Sequence, residues 1–449
     1  MAKAVALVLV SIGVALLLSE VTIRALDLFP EARSVSPREA GADPKQPGAY
    51  RRLFKTQLHP YRGWSFRPGT DIAEALALLA DRHDDLAAPS EWELSLSRVN
   101  QFGFFSALDD YRDLQDEDFV VAIFGGSVAG ALVTSAGPAL VEALGARLPA
   151  HADRLVIVSL AAPAYKQPQQ LIILMEMALL GVPLDVIVNF DGFNEVDSGG
   201  ADARAGFHPY FPSRRQFALS VDLASGVPSD VAILGSAEVL RERAAERDLA
   251  LWLRDSSLAR ISVVARTIAG ALSLRHAARA LVAEEALQRA EAESDLDDAS
   301  AGLGDPCLGL AGDCYPLIAE IWANASLLMH SVAESMGAQY LHLLQPSQYV
   351  EGSKPLSDQE RERAFAPKGP AALGVRRGYP HLLSRGAWLR ERGVGFHDLT
   401  RLFEDRDETL YLDACCHYNA QGNRIAAEAI AQWIEDPAER SASIHESSD

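Results

Sequence analysis

The sequence predicts an α/β fold, a parallel sheet with helices on both faces, and three observations lead there. Short continuous apolar runs of strand length alternate with longer Ala/Leu-rich segments of helical spacing. Each run ends in Gly, Asn, Asp or Pro, which break a strand. The polar residues with chemical potential follow those run ends or precede the last helix. Strands buried on both faces and separated by helices need right-handed crossovers, which cover both sides of the sheet. Ligands in such folds sit at the carboxyl ends of the strands.

Taken in order, the chain opens with Met1-Ala2-Lys3 and an uncharged run, Ala4 to Leu18. The run falls short of the roughly 20 residues of a comfortable membrane helix, and no small-x-small cleavage site follows it. The expectation is an uncleaved signal anchor or transmembrane helix over residues 1–29, with a cleaved signal second, and a membrane-anchored, extracytoplasmic chain beyond it. Residues 30–118 read as a linker and an N-terminal extension. Within it, His59 to Gly69 reads as an irregular packed loop, Ile72 to Leu86 as a helical patch, and Leu94 to Phe105 as a short strand and turn.

The core occupies 119–198 and 316–436. Its strands are expected at Phe119–Phe124, Leu155–Leu160, Asp185–Phe190, Gln339–Leu344 and Gly393–Leu399. Its helices are expected after Ser127, over Pro168–Leu180 and Trp322–Met336, and over Asn419–Ile434, where Ile425, Ala429, Ile430 and Trp433 share a face. Between 199 and 315 the alternation fails. Ser236 to Ala290 has the Ala, Leu, Arg and Glu of solvated helices, an insertion of lid or cap size. The acidic, Ser-rich tail, 437–449, is expected to be disordered.

At 449 residues and 49% hydrophobic the chain can bury at least one large core. Its formal net charge of −20, with no Lys/Arg stripe interleaved with aromatics, excludes a nucleic-acid partner. The four cysteines suit an oxidising compartment, and Cys307 and Cys314 share a Gly/Asp-rich loop that a local disulfide is able to staple, although spacing does not decide the pairing. Cys415 and Cys416 are expected to be free, or one of them paired elsewhere, because vicinal disulfides are strained. No zinc site is expected: there is no C-x-x-C, and the only histidine near a cysteine is His417.

Four stretches carry chemistry. Gly125-Gly126-Ser127 ends the first strand and opens a helix, so Ser127 offers a hydroxyl beside unpaired backbone N–H groups; the plainer reading is that it caps the helix. Ala161 to Gln167 follows the second strand and presents backbone N–H groups. Asp191-Gly192-Phe193-Asn194-Glu195 follows the third, where the Asn194 amide is placed to donate to developing oxyanion charge. Asp413 and His417 share a loop before the last helix. A serine hydroxyl needs a base to take its proton, and an imidazole serves best when a carboxylate fixes its tautomer. A parallel sheet brings all four loops to one edge. Gly125 to Gly130 is neither G-x-G-x-x-G nor G-x-x-x-x-G-K-[ST], so nucleotide binding is not favoured.

These blocks resemble the SGNH (GDSL-like) hydrolase family. The resemblance implies a three-layer α/β/α sandwich with a central parallel sheet, and ester hydrolysis or acyl transfer without cofactor or metal. Gly125-Gly126-Ser127 is similar to the Gly-Asp-Ser block and makes Ser127 the implied nucleophile. Gly192-Phe193-Asn194-Glu195 is similar to Gly-x-Asn-Asp, and Asp413 with His417 to Asp-x-x-His. The implied oxyanion donors are Ser127, Ala164 and Asn194. Pro60-Tyr61-x-Gly63 and Asn100-x-x-Gly103 are reminiscent of envelope-associated members, for which an O-acetylated glycan or lipid ester is the implied substrate. Three departures stand out: Gly126 replaces Asp, Ala164 replaces a glycine, and three residues separate Asp413 from His417, which makes Asp398 an alternative carboxylate. The competing expectation, from the altered Asp413/His417 spacing, Ala164 and the large helical insertion, is a binding or assembly protein of the envelope that keeps the fold without turnover.

Overall fold

The computed structural model describes residues 56–73, 89–204, 206–212, 230–293, 307–308 and 313–437. The expected anchor at 1–29, nearly all of the helical patch at 72–86 and all but the first residue of the tail lie outside them. The chain divides into two compact units, one holding the helices of the insertion and the other the rest of the described residues.

In the larger unit, β1 (Thr56–His59) and β2 (Gly63–Phe66) form an antiparallel hairpin where the sequence reads as irregular loop. Four-residue strands are too short to display a two-residue period. A short helix, α1 (Glu91–Ser95), follows, started by a capping box between Ser90 and Glu93. The stretch read as strand and turn is this helix plus the isolated bridges Asp71↔Arg98 and Val99↔Phe105.

The central sheet has five strands: β3 (Phe119–Gly125), β4 (Leu155–Ala161), β5 (Val186–Asp191), β6 (Gln339–Leu344) and β7 (Gly395–Asp398). All neighbours are parallel, in the order β4-β3-β5-β6-β7. Composition follows position. The inner strands β3 and β5 are buried at every residue, whereas the edge strands β4 and β7 are partly open. Between them run α2 (Ser127–Arg147), α3 (Gln169–Leu179), a π-helical turn at Glu195–Gly199 and α4 (Gly200–Arg204).

The insertion contributes α5 (Asp230–Asp255), α6 (Ser257–Ile261) and α7 (Val263–Glu293). Within that unit α5 packs along α7, and His276 of α7 meets Glu242 of α5 at 2.5 Å. The core resumes with α8 (Tyr315–Met336), α9 (Asp358–Arg363), α10 (Pro370–Arg390) and α11 (Ala420–Ala431). The helix α10 shows no clean period in the sequence because Gly374, Gly378, Pro380 and Gly386 interrupt it. A disulfide joins Cys307 to Cys314, while Cys415 and Cys416 are free.

The strand order sets the position of the site. The chain moves from β3 to β4 on one side, then returns to place β5 on the other side of β3. Right-handed crossovers assign α2 to one face and α3, α8 and α10 to the other. The helix contacts agree: α11 packs on α2, and α8 packs on α3 and α10. The reversal at β3 and β5 sends the loops that follow them to opposite faces, the place where sheets of this kind bind ligands. Among the described residues α2 alone is long and apolar enough to cross a membrane; it carries Leu132, Val133, Leu140 and Leu144 buried in the core.

Candidate active site

Ser127 is the first residue of α2, and the N-cap is Gly126, so its hydroxyl is not the capping group. Two glycines permit this tight strand-to-helix turn. Gly125 has φ +145, and a Cβ there would run into the Phe190 carbonyl and Ala129. A Cβ at Gly126 would run into the Asn194 amide nitrogen. The glycine in place of the expected Asp therefore makes room for Asn194 against the turn.

His417 comes from the loop before α11 and meets Ser127 through Nε2 at 2.8 Å. Its Nδ1 lies 2.6 Å from Asp413 Oδ2. With the Nδ1 proton directed at the carboxylate, Nε2 is free to accept the serine proton. The second carboxylate oxygen, Oδ1, accepts from three successive backbone N–H groups: Cys415 and Cys416 at 3.0 Å, and His417 at 3.3 Å. This curl absorbs the additional residue, so the longer spacing still delivers Asp413 to the imidazole. Burial pulls the Asp413 carboxyl upward, but the His417 and backbone hydrogen bonds together hold it below its ordinary value. Asp398, at the end of β7, accepts from the Thr400 N–H at 2.9 Å, and Asp413 is the carboxylate on His417.

The loop is fixed at its root and along its back. Leu412 N–H donates to the His417 carbonyl at 2.9 Å, and Asn419 N–H to the Leu410 carbonyl at 2.7 Å. Below that neck, buried Glu360 accepts the Leu410 and Tyr411 N–H groups at 2.8 and 2.9 Å and pairs with buried Lys354 at 2.9 Å. Burial alone would raise the Glu360 carboxyl; the hydrogen bonds from Tyr411, Leu410 and Lys354 bring it below its ordinary value. Gln348 and Tyr349 hold the carbonyls of Asp413 and Ala414 at 3.0 and 2.6 Å.

The implied oxyanion donors come from the neighbouring strand ends. The first-turn N–H of Ser127 has no acceptor within its helix. Ala164, after β4, takes φ +60, the left-handed conformation that a glycine takes readily and an alanine only at a cost. Asn194, after β5, donates through Nδ2 to the Tyr165 carbonyl at 2.8 Å, which aims the amide and leaves its second N–H available. Tyr165 is braced in turn, its hydroxyl donating to the Trp64 carbonyl of β2 at 2.5 Å. Buried Glu195 ties the two donor loops together, accepting from Gln167 N–H at 2.9 Å and Gly192 N–H at 3.0 Å. Burial and then the Asp191 carboxylate push its pKa up to about 8. The Asn100 motif is a brace as well: Asn100 Oδ1 accepts the Phe102 and Phe104 N–H groups, and Arg62 holds the Phe102 carbonyl.

A second Ser, His and Asp chain lies within the core, and no sequence motif announced it. His342 of β6 meets Asp191 through Nε2 at 2.9 Å and Ser326 of α8 through Nδ1 at 2.6 Å. Asp191 also accepts from Trp322 Nε1 and Asn189 Nδ2, both at 2.7 Å. The only soft metal-ligand cluster among the described residues is Cys415, Cys416 and His417.

Fold and site together define an α/β protein with a parallel sheet and a Ser127–His417–Asp413 hydrogen-bond chain at its switch point. Among known proteins, no family model and no curated protein matches the chain. One similar solved structure is an acetyl xylan esterase, 12% identical, aligned over 71% of this chain and 100% of its own, with a TM-score of 0.33.

Proposed function

We propose that the protein is a serine-dependent ester hydrolase or acyl transferase of the SGNH type, with its sheet as the middle of a three-layer α/β/α sandwich. The observation that carries this reading is the imidazole of His417 bridging Ser127 and Asp413, with one nitrogen on each.

In this reading the Ser127 hydroxyl attacks an acyl carbonyl while His417 Nε2 takes its proton. The carbonyl oxygen becomes an oxyanion facing the N–H groups of Ser127 and Ala164 and the free N–H of Asn194. Collapse breaks the bond to the leaving alkoxide, which receives the proton from His417. Water, or a sugar hydroxyl in a transferase, then gives its proton to His417, attacks the acyl-enzyme and frees Ser127. Asp413 stays ionised throughout and stabilises the imidazolium. This chemistry calls for no metal and no organic cofactor.

The apolar N-terminal run supports a membrane-anchored, extracytoplasmic location, and with it an O-acetylated glycan or lipid ester as substrate. The departures that favoured a relative without turnover have local answers: the curl at Asp413 takes up the additional residue, and Ala164 takes the glycine conformation. The test is fluorophosphonate labelling and p-nitrophenyl acetate turnover by the native protein and by Ser127→Ala. Labelling and turnover confined to the native protein are expected. Equal labelling of both removes Ser127 from the mechanism.

A further inference from the structure

The loop that carries Asp413 and His417 also holds two thiols that ester chemistry does not use. Cys415 and Cys416 are free, with their Sγ atoms 2.8 Å apart. In an extended segment adjacent side chains point to opposite faces. Here the backbone curls around Asp413 Oδ1 and carries both thiols to one side. The two Sγ atoms and a ring nitrogen of His417 all lie within 4.8 Å of one another. Cys415 and His417 are half-buried, so the cluster is reachable from solvent, while Cys416 forms its floor.

Two thiols and an imidazole are the donors that zinc-class ions select, at about 2.3 Å for sulfur and about 2.0–2.1 Å for nitrogen. Tetrahedral ligation at those lengths sets donors roughly 3.5 Å apart, within reach of rotamer changes in this loop. We propose that Cys415, Cys416 and His417 form an inhibitory site for a thiophilic divalent ion. Binding exchanges two S–H bonds for two metal–thiolate bonds, releases two protons to solvent and takes one lone pair from the imidazole. Both ring nitrogens of His417 are already engaged, Nδ1 by Asp413 and Nε2 by Ser127. Ligation through either nitrogen removes one of those hydrogen bonds, so a bound ion and an intact chain exclude each other. The inhibition rests on the proposed ester chemistry; the binding does not.

The experiment titrates full-length protein, its Cys307–Cys314 disulfide intact and Cys415 and Cys416 reduced, with Cd²⁺ as the probe. It reads the ultraviolet cadmium–thiolate band and p-nitrophenyl acetate turnover in parallel, for the native chain, Ser127→Ala and Cys415→Ala. One Cd²⁺ per chain is expected in the native protein and in Ser127→Ala, with native turnover lost as the band grows and restored by EDTA. Cys415→Ala should need at least ten times more Cd²⁺, both for the band and for inhibition relative to its own metal-free rate. Mg²⁺, which prefers oxygen ligands, should leave turnover unchanged. Absence of the band in the reduced native protein, or equal sensitivity of Cys415→Ala, overturns the site. A band without turnover in metal-free native protein would retain the ion site and remove the esterase reading.

Discussion

The molecule builds the same trio of side chains twice, and the two copies differ in almost everything except their residue types. In one, Ser127, His417 and Asp413 meet at the sheet rim, with the histidine and aspartate side chains 31% and 46% exposed. In the other, Ser326 of α8, His342 of β6 and Asp191 at the end of β5 meet in the core, with exposures of 0%, 0% and 1%. The rim histidine keeps its serine on Nε2, near the N–H of Ser127 and the Asn194 amide. The core histidine keeps its serine on Nδ1, and that serine also meets the Tyr340 hydroxyl at 3.1 Å. No acyl group reaches it. The same residue types thus stand in two different settings, one open to solvent and one closed. The core trio instead satisfies polar groups that burial would otherwise leave unpaired, at a cost of about 1–3 kcal/mol each.

The sharpest test of this contrast exchanges the readouts. Ser127→Ala should lower kcat for p-nitrophenyl acetate by about 10³–10⁶ and leave the urea midpoint nearly unmoved. Ser326→Ala should do the reverse, holding kcat while losing about 1–3 kcal/mol of stability as His342 Nδ1 loses its partner. Similar kcat losses in both would erase the distinction. Next in size is Asn194→Ala, expected to cut kcat by about 10²–10³ with little change in KM, as the loss of an oxyanion donor does. A change confined to KM would instead make Asn194 a substrate-binding residue.

The pH dependence sharpens the same comparison, because Glu195 lies beside Asp191 and beneath the rim loops. Its folded pKa of about 8 lies above its ordinary value of 4.5. Between the two, the folded chain keeps a proton that the unfolded chain has released. The contribution of Glu195 is thus full below about 4.5 and is lost as the pH rises through about 8. Glu195→Gln, neutral at every pH, should flatten the fall in Tm across that window. An unchanged slope would assign the titration to another group. The smallest effect belongs to Ala164→Gly, which keeps the N–H and removes a Cβ from a left-handed position. Stability should rise by up to about 1 kcal/mol, with kcat held within a factor of about two.

The rim trio was legible in the sequence and the core trio was not, for a physical reason. Ser127 and Asn194 sit where apolar runs stop, and a polar residue at a strand end announces itself by contrast. His342 sits inside an apolar strand, Ser326 mid-helix, and Asp191 is 151 positions from its histidine, so only folding reveals their pairing. The same holds for Glu360, whose acceptor role is toward backbone N–H groups 50 and 51 positions away. Glu360 also closes the capping box with Ser357 that starts α9, a helix absent from the sequence reading. The five core strands follow from their runs, with β7 shorter than expected because the edge strand pairs only over Gly395–Asp398. Their order does not follow from composition, yet it is the order that sets the ends of β3 and β5, with Ser127 and Asn194 just beyond them, side by side.

The clamp of Glu360 and Lys354 on the neck of the rim loop changes how such motifs should be compared between chains. Leu410 and Tyr411 are gripped from below and Tyr411 bridges Tyr418, so the tip that carries Asp413 and His417 rises from a fixed stem. Inserted length can be spent in a wider arc without tilting the ring. Counting positions from acid to base is then a poor ruler for whether the two side chains meet.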